Sequence, residues 1–277
     1  VQKLDVTVLW KSPDFVDNKG QMRPIVKEQT AIMVYPEDED YRLIDFEIRL
    51  LALHDRVTIG GSEDVKGYGG FSLRLKAPDD LVFQAGQGKM QPKNEAVTAG
   101  NWLDLNAGFS ATGEKSGIAV LVHPDNPGAT DKWILRQKRS MQNPVFPGRA
   151  PVPIPQDRPL ILRYRLVVHR GDAAAVPLED MYQAYAQEKI AKTYVVSPSG
   201  SDAAVGDVTH PLKTISAAAQ RAMPGDTILV KAGVYRERVA PPRGGEPGKP
   251  ITYRAEALGK VFVRGSELWQ PEWKQHK

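Results

Sequence analysis

Alternating apolar and polar residues dominate the first two-thirds of the chain and predict antiparallel β-strands. In residues 41–53 an apolar face alternates with a charged face. The apolar side chains are Ile44, Phe46, Ile48 and Leu50, and the charged ones are Asp45, Glu47 and Arg49. An acidic run at 36–40 predicts a turn, so residues 31–35 and 42–53 should form a hairpin.

The same alternation returns at 71–77 and at 159–172, and residues 117–122 form a short, fully apolar segment. In 159–172 one face carries Leu160, Leu162, Tyr164, Leu166 and Val168, and the other carries Arg163, Arg165 and His169. Many strands with long turns and no βαβ rhythm indicate an antiparallel β-sandwich. We expect Ile44, Phe46, Ile48, Leu160, Leu162 and Leu166 to be buried in its core.

The hydrophobic spacing changes after residue 176. Residues 177–192 have apolar positions at helical spacing with Pro177 in the first turn, which predicts an amphipathic helix that packs on the sandwich or bridges to the next domain. A second helix is predicted at 214–223, closed by Pro224 and Gly225. Short strands then recur at 227–235, 251–257 and 261–266, separated by Gly/Pro turns.

Short strands at these intervals, without a hairpin turn between the first two, predict parallel stacking in a solenoid. The helix at 214–223 should cap the stack with Ile215, Ala218, Ala219 and Ala222 facing it. The sequence therefore predicts an all-β chain: a sandwich domain at 1–176, a linking helix at 177–192, and the start of a solenoid domain at 193–277.

The solenoid segment carries ordered motifs: a Ser-Gly-Ser-Asp loop, the helix, Pro-Gly-Asp-Thr, Gly-Val-Tyr and Pro-Ile-Thr-Tyr. Over residues 193–269 it resembles the N-terminal start of right-handed parallel β-helix proteins of the pectate-lyase-like superfamily. The resemblance implies that coils bind an extended polysaccharide and cleave it by β-elimination or hydrolysis. Such proteins continue for many more coils, so we expect the chain to be truncated at its C-terminus.

The first part of the chain contains "KGYGGFSLRL", "GIAVLVHPDNP…WILR" and "QNPVF". Over residues 1–175 it is similar to a bacterial family labelled methane oxygenase PmoA-like, of the DUF6807 type. Members usually have a His-containing segment upstream, so truncation is expected at the N-terminus too. Since the chain has no apolar run of membrane-spanning length, the resemblance does not imply a membrane-bound monooxygenase.

Composition narrows the choice of partners. The chain has 277 residues, 41% hydrophobic and 25% charged, with a net charge of +4 and no cysteine. Disulfides and thiolate sites are therefore excluded. The modest positive charge suits a solvated surface or an acidic polysaccharide, whereas nucleic acid is not expected because no dense basic cluster is interleaved with aromatics. We expect a secreted or periplasmic protein whose export signal is not in this sequence.

The best candidate site follows the apolar strand at 117–122. His123 and Asn126 lie in the "HPDNPG" loop, and Trp133 and Arg136 lie on the next element. An aromatic plane, an arginine fork and an amide suit binding of a neutral or acidic saccharide. The alternative is a turn beside a partly buried Trp. The family resemblance favours the site, because all four residues fall on its motif.

Other features have structural interpretations. The glycines of 66–71 suit positive φ angles or close sheet packing. Asp202 and Asp207 suit a turn-rich loop more than a calcium site, and Glu237 suits a charge-alternating coil surface. No metal or cofactor is expected, since the histidines have no metal-ligand spacing. No catalytic residue can be assigned.

We expect part of a secreted bacterial carbohydrate-active protein, a polysaccharide lyase or glycoside hydrolase of β-helix type with a β-sandwich accessory domain. One alternative is a non-catalytic carbohydrate-binding or adhesion protein. Another is an enzyme whose site lies in the sandwich around His123. The 277-residue chain alone is expected to be inactive on polysaccharides, because a groove built from successive coils needs those coils.

Overall fold

Antiparallel strands build the first of two units in the computed structural model. The units are Val1–Lys189 and Ile190–Lys277, and the structure describes residues 1–60, 67, 69–129, 131–137, 141–188, 191–246 and 249–266. The strands of the first unit are β1 (Gln2–Val16), β2 (Met22–Glu37), β3 (Tyr41–Ala52), β4 (Thr58–Ile59), β5 (Leu73–Arg74), β6 (Val82–Ala85), β7 (Gly88–Met90), β8 (Val97–Thr98), β9 (Trp102–Gly108), β10 (Lys115–Val122), β11 (Lys132–Ile134), β12 (Met141–Pro144), β13 (Val152–Pro153) and β14 (Leu160–Arg170).

Eight of these strands form one large antiparallel sheet in the order β1-β2-β3-β14-β10-β9-β6-β7. A smaller sheet has the order β5-β12-β11-β8, and β13 pairs with β4. The predicted hairpin is confirmed, because β2 and β3 pair along their length. In the register of β3 with β14, Ile48 lies opposite Leu162 and Phe46 opposite Tyr164.

The main core lies against one face of the large sheet. Trp133 and Leu135, from the smaller sheet and the residues after it, are fully buried with Leu103 and Leu105 of β9. This arrangement confirms the predicted all-β class and its large antiparallel sheet. Of the six residues expected to be buried, Leu160, Leu162 and Leu166 are buried, whereas Ile44, Phe46 and Ile48 are only partly buried against the core.

A helix covers the opposite face of the large sheet, called here the helix-side face. Helix α1 (Leu178–Ala186) packs Tyr182 and Tyr185 against Leu121 of β10 and Val167 of β14. Acidic residues in its first turn complement the positive end of the helix dipole. The helix is shorter than the predicted 177–192. Residues 189–190 of that prediction lie outside the residues that the structure describes.

The glycine-rich segment before β5 has the predicted role. Gly70 has φ +75°, and a Cβ there would lie 2.4 Å from the Phe146 carbonyl oxygen. Gly69 has φ +148°, and a Cβ there would lie 3.0 Å from the same carbonyl oxygen and 2.9 Å from Pro147. Both positive φ and close backbone packing therefore require glycine. Lys66 and Tyr68 of the same motif lie outside the described residues.

Parallel strands build the second unit. Its elements are β15 (Thr193–Val196), α2 (Ile215–Arg221), β16 (Thr227–Val230), β17 (Gly233–Arg236), β18 (Thr252–Ala255) and β19 (Val261–Arg264). Strands β15, β16 and β18 form one parallel sheet, and β17 pairs with β19 in another. The parallel pairing of 227–231 with 251–254 is confirmed. Residues 261–264 belong to the second sheet, which the sequence did not predict.

Helix α2 packs on this stack as expected, with Ile215, Ala218, Ala219 and Ala222 all buried. Glu237 anchors its first turn, because its carboxylate accepts hydrogen bonds from the Ile215 and Ser216 backbone N–H groups, both at 2.8 Å. The prediction that Glu237 belongs to a merely charge-alternating surface was therefore wrong. Its carboxylate instead joins β17 to the helix N-terminus.

Candidate functional site

His123 lies directly after β10 and is fully buried. Its Nε2 lies 2.8 Å from the Glu188 carbonyl oxygen, and the Asp125 backbone N–H donates to its Nδ1 at 3.2 Å. A donor at Nε2 and an acceptor at Nδ1 define the neutral ring. Burial lowers the pKa of His123, in spite of the Glu188 contact that favours the charged form. Both ring nitrogens are thus engaged by the protein itself.

Asn126 lies beside His123 in the same turn, and its N–H donates to the His123 carbonyl oxygen at 3.1 Å. Its side-chain amide makes a two-way bridge to β14. Nδ2 donates to the Arg163 carbonyl oxygen at 2.9 Å, and Oδ1 accepts from the Arg163 N–H at 2.7 Å. The bridge continues the pairing of β10 with β14 beyond the end of β10.

Trp133 and Arg136 make contacts of their own in and after β11. The Trp133 ring is fully buried, and its Nε1 donates to the Gly100 carbonyl oxygen at 2.7 Å. Arg136 donates from one guanidinium nitrogen to the carbonyl oxygens of Lys93 and Leu135. In this conformation the polar groups of His123, Asn126, Trp133 and Arg136 stabilise the fold. A saccharide-binding role for the four stays a prediction.

A buried charge cluster lies on the helix-side face, which alternation alone would leave in solvent. The guanidinium of Arg165 on β14 donates to both carboxylate oxygens of Asp45 on β3, at 2.6 and 2.8 Å. Glu188 is the second acidic partner of Arg165, at 3.0 Å. The guanidinium also stacks over Tyr185, with 4.5 Å between its central carbon and the ring centre. Tyr35 donates to Asp45 at 2.9 Å, so the Asp45 carboxylate is fully satisfied.

A second buried pair joins β9 to β14. His169 Nε2 lies 3.0 Å from Asp104 Oδ1, and neither side chain is exposed. Asp104 Oδ2 has no hydrogen-bond partner within the described part of the chain. Asp104 was not predicted as a buried charge, although the sequence contains a signal for it: an acidic residue between Leu103 and Leu105 in an apolar strand.

The two Asp residues weighed as calcium ligands are engaged by backbone groups. Asp202 accepts from the N–H groups of Lys213 and Thr214, and Asp207 accepts from those of Thr209 and His210. This agrees with the turn interpretation. Across the residues that the structure describes, no three His, Asp or Glu side chains gather as a metal site, and no helix is both long and apolar enough to cross a membrane.

Strands β17 and β19 of the second unit carry an exposed surface with two arginines, called here the arginine face. In their register Arg236 lies beside Arg264 and Val234 beside Phe262. All four side chains are exposed, whereas Tyr235 between them points inward and is buried. Arg236 is braced by hydrogen bonds at 3.1 Å to the carbonyl and hydroxyl oxygens of Ser266.

Neighbouring parallel strands lie about 4.8 Å apart, so two like charges share a short stretch of surface. Within the described ranges, neither arginine is paired with a carboxylate. The acidic residue nearest in sequence, Glu237, is occupied by the N-terminus of α2. The arginine face can therefore hold an anionic group between two guanidinium forks, with an aromatic ring beside them.

Comparison with known protein families gives a match for the first unit. Residues 2–183 match the family described as "Family of unknown function (DUF6807)". The chain belongs to this family. The DUF6807 match covers every strand of the first unit and ends inside α1. It agrees with the DUF6807-type resemblance of residues 1–175.

Relatives match smaller parts of the chain. It is 33% identical over 78 residues to the uncharacterized protein YwoF of Bacillus subtilis, which is 28% of this chain and 17% of that protein. It is 33% identical over 81 residues to the pectate lyase PEL9 of Emericella nidulans, which is 28% of this chain and 20% of that protein. The chain thus spans about a fifth of the length of these relatives or less.

A solved structure titled "The complex structure of XylC with xylose" is 44% identical over 31% of this chain and 13% of its own, with a TM-score of 0.28.

Proposed function

We propose that the second unit begins a right-handed parallel β-helix whose arginine face binds an acidic polysaccharide. The observation that carries the proposal is the register of β17 with β19, which sets Arg236 beside Arg264. Each guanidinium can donate two parallel hydrogen bonds to a carboxylate, and such charge-assisted bonds are about twice as strong as neutral ones. The exposed ring of Phe262 offers an apolar surface to a sugar ring.

Two further features support a polysaccharide ligand. The stacked parallel strands repeat similar surface positions at a regular spacing, which suits a polymer of repeating units. Part of the chain is also similar to a pectate lyase. The resemblance of residues 193–269 to pectate-lyase-like proteins accounts for both features.

For the whole protein we propose cleavage of the polymer by β-elimination or hydrolysis. Elimination requires a base that removes the proton α to a uronate carboxylate, and a cation that neutralises this carboxylate. Arg236 and Arg264 have the charge for the second task. No residue is assigned to the first.

A binding protein without catalysis is the second candidate. Glu237 is the acidic group next to Arg236, yet its carboxylate already accepts three hydrogen bonds from Ile215 and Ser216. It is therefore not free to act as a base. This occupied carboxylate favours a face that holds the polymer without cleaving it.

Replacing both arginines by Ala (Arg236→Ala with Arg264→Ala) is expected to weaken binding to polygalacturonate by at least about tenfold, because each lost charge-assisted hydrogen bond contributes about 1.5–3 kcal/mol. Affinity electrophoresis and calorimetry would measure the loss. Binding by the unsubstituted chain should also weaken as salt is added.

Arg254→Ala provides the matched control, since Arg254 is an exposed arginine on β18 of the other sheet. Its effect on binding should be small. Equal binding of neutral and acidic polymers, or unchanged affinity in the double variant, would refute the arginine face as the binding surface. New reducing ends released from the polymer by the full-length protein would identify an enzyme, and unsaturated uronate among the products would identify elimination; the absence of both would favour the binding protein.

A further inference from the structure

A cleft of about 820 Å³ lies in the first unit, on the helix-side face of the large sheet. Its floor is formed by side chains of β6 and β9, among them Gln84, Trp102 and Asn106. Its wall is formed by residues 172–180, which lead into α1. The cleft takes in neither the four residues predicted from the sequence nor the arginine face.

The cleft has the size of a small-molecule site. Such sites are concave and usually occupy about 300–1,000 Å³. A ligand of this size is a short molecule, not a length of polymer. The floor of the cleft is rigid, because β6 and β9 are paired inside the eight-stranded sheet.

Two polar side chains of the cleft, Glu179 and Asn106, are held by hydrogen bonds within the protein. Glu179 accepts from Trp102 Nε1 at 2.7 Å and from Gln183 Nε2 at 2.8 Å. The Gln183 and Trp102 hydrogen bonds hold the pKa of Glu179 below its ordinary value. Asn106 donates its amide to the Gly171 carbonyl oxygen at 2.8 Å. These contacts orient the groups before any ligand arrives, which reduces the entropy cost of binding.

The lining mixes donors and acceptors with neither charge dominant. Lys89 and Lys115 supply ammonium groups, that of Lys115 being paired with Asp80 at 2.5 Å. Gln84 and Asn106 supply amides, and Glu179 supplies a carboxylate. Asp172 and Asp180 add further acceptors. An apolar ligand would leave these groups desolvated without partners. A strong anion would face three carboxylates.

A hydroxyl group both donates and accepts hydrogen bonds, so it matches such a mixed lining. We propose that this cleft binds a small neutral carbohydrate, a monosaccharide or disaccharide, with Gln84 and Asn106 as hydrogen-bonding residues on its floor. The site is separate from the arginine face, so this proposal does not depend on the proposed acidic polysaccharide.

Calorimetric titration of the 277-residue chain with neutral aldohexoses, their disaccharides and the matching hexuronic acids tests the proposal. Neutral sugars should bind, and the uronic acids should bind more weakly. Gln84→Ala should weaken binding about tenfold by removing one hydrogen-bonding group. Gln29→Ala is the matched control, because Gln29 is an exposed glutamine of β2 that does not line the cleft.

A second variant blocks the cleft from the side. A Cβ on Gly86 would lie 3.4 Å from Glu179 Oε2 and 3.7 Å from the Trp102 ring, which is ordinary contact. Gly86→Ala should therefore fold and keep most of the affinity, whereas the longer side chain of Gly86→Leu should abolish binding. Thermal melts of each variant would establish that it is folded.

The proposal is overturned if no neutral saccharide binds at millimolar concentration. It is equally overturned if uronic acids bind more tightly than neutral sugars. Binding that survives both Gln84→Ala and Gly86→Leu would place the sugar elsewhere on the chain. Loss of polygalacturonate binding in the arginine variants with sugar binding intact would show that the two sites are independent.

Discussion

Replacing His169 by Gln is expected to lower the free energy of unfolding of the first unit by about 3–5 kcal/mol. The substitution leaves the Asp104 carboxylate without its charged partner in a fully buried position. Asp104 Oδ2 already lacks a hydrogen-bond partner among the described residues, so no other contact of that oxygen would stabilise the carboxylate charge. Urea denaturation followed by circular dichroism would measure the loss.

The double variant His169→Gln with Asp104→Asn is the decisive control. Removing both charges replaces the ion pair by two neutral amides, so that no buried charge is left without its partner. The double variant should therefore recover most of the stability lost in the single variant. The double-mutant cycle should give a coupling energy between the two residues well above that measured for residues that are far apart. A loss below about 1 kcal/mol in the single variant, or additive losses in the double variant, would contradict a buried ion pair.

The same pair should make stability depend on pH. His169 Nδ1 lies 3.1 Å from the Arg170 carbonyl oxygen, and Nε2 lies 3.0 Å from Asp104. Both partners are acceptors, so both ring nitrogens carry protons. Burial opposes that charge, but the hydrogen bond and the charge of Asp104 outweigh it and raise the pKa of His169.

Because the pKa of His169 is raised in the folded state, its contribution to stability decreases as pH rises. The contribution of His169 is fully present below about pH 6.5, the ordinary histidine pKa, and is lost as pH rises through the higher folded pKa. The difference in unfolding free energy between the unsubstituted chain and His169→Gln should therefore shrink as pH rises above that range. Denaturation at a series of pH values would measure it, and a difference that grows with pH would contradict the assignment.

Hydrophobic alternation predicted which segments are strands but not what covers them. Strand β3 (Tyr41–Ala52) and strand β14 (Leu160–Arg170) lie within one or two residues of the predicted 41–53 and 159–172. Period-two alternation reports the polarity of a face and carries no information on a helix packed against it. Asp45, Arg165 and His169 lie on the charged faces of these strands, yet all three are buried. Arg165 packs on Tyr185 of α1, and His169 pairs with Asp104 of β9.

The second unit shows a similar limit. Residues 227–235 were predicted as one strand, whereas β16 ends at Val230 and β17 begins at Gly233. Gly233 has φ +155°, and a Cβ there would lie 2.3 Å from Pro198. The corner thus depends on a close approach to a residue 35 positions earlier in the chain. Local sequence shows a glycine at this position but does not show its neighbour.

The four candidate residues, called here the predicted quartet, show how one motif can serve two roles; they are His123, Asn126, Trp133 and Arg136. An Asp-Asn-Pro-Gly turn after an apolar strand suits both a loop that binds a sugar and a loop that closes a sheet. In the structure Asn126 bridges to β14 through both atoms of its amide. The sequence pattern alone does not show whether such polar groups face a ligand or the chain's own backbone.

Trp133→Ala is expected to lower the free energy of unfolding by about 3–5 kcal/mol, because it removes a fully buried ring and leaves a cavity. It also leaves the Gly100 carbonyl oxygen without the indole donor now 2.7 Å away. Phe46→Ala is the matched comparison. Since Phe46 is only partly buried, its loss should be smaller. Chemical denaturation of both variants would give the ranking, and a smaller loss for Trp133→Ala would contradict the core assignment.

Trp133→Phe separates stability from saccharide binding. Phenylalanine keeps an aromatic ring in the core but loses the indole N–H, so the variant should fold with reduced stability. If Trp133 acts only in the core, the affinity for every saccharide should be unchanged in the folded variant. If the predicted site around His123 binds a sugar through this ring, affinity should fall in Trp133→Phe while it survives Gln84→Ala. The two variants together therefore assign saccharide binding either to the helix-side cleft or to the predicted quartet.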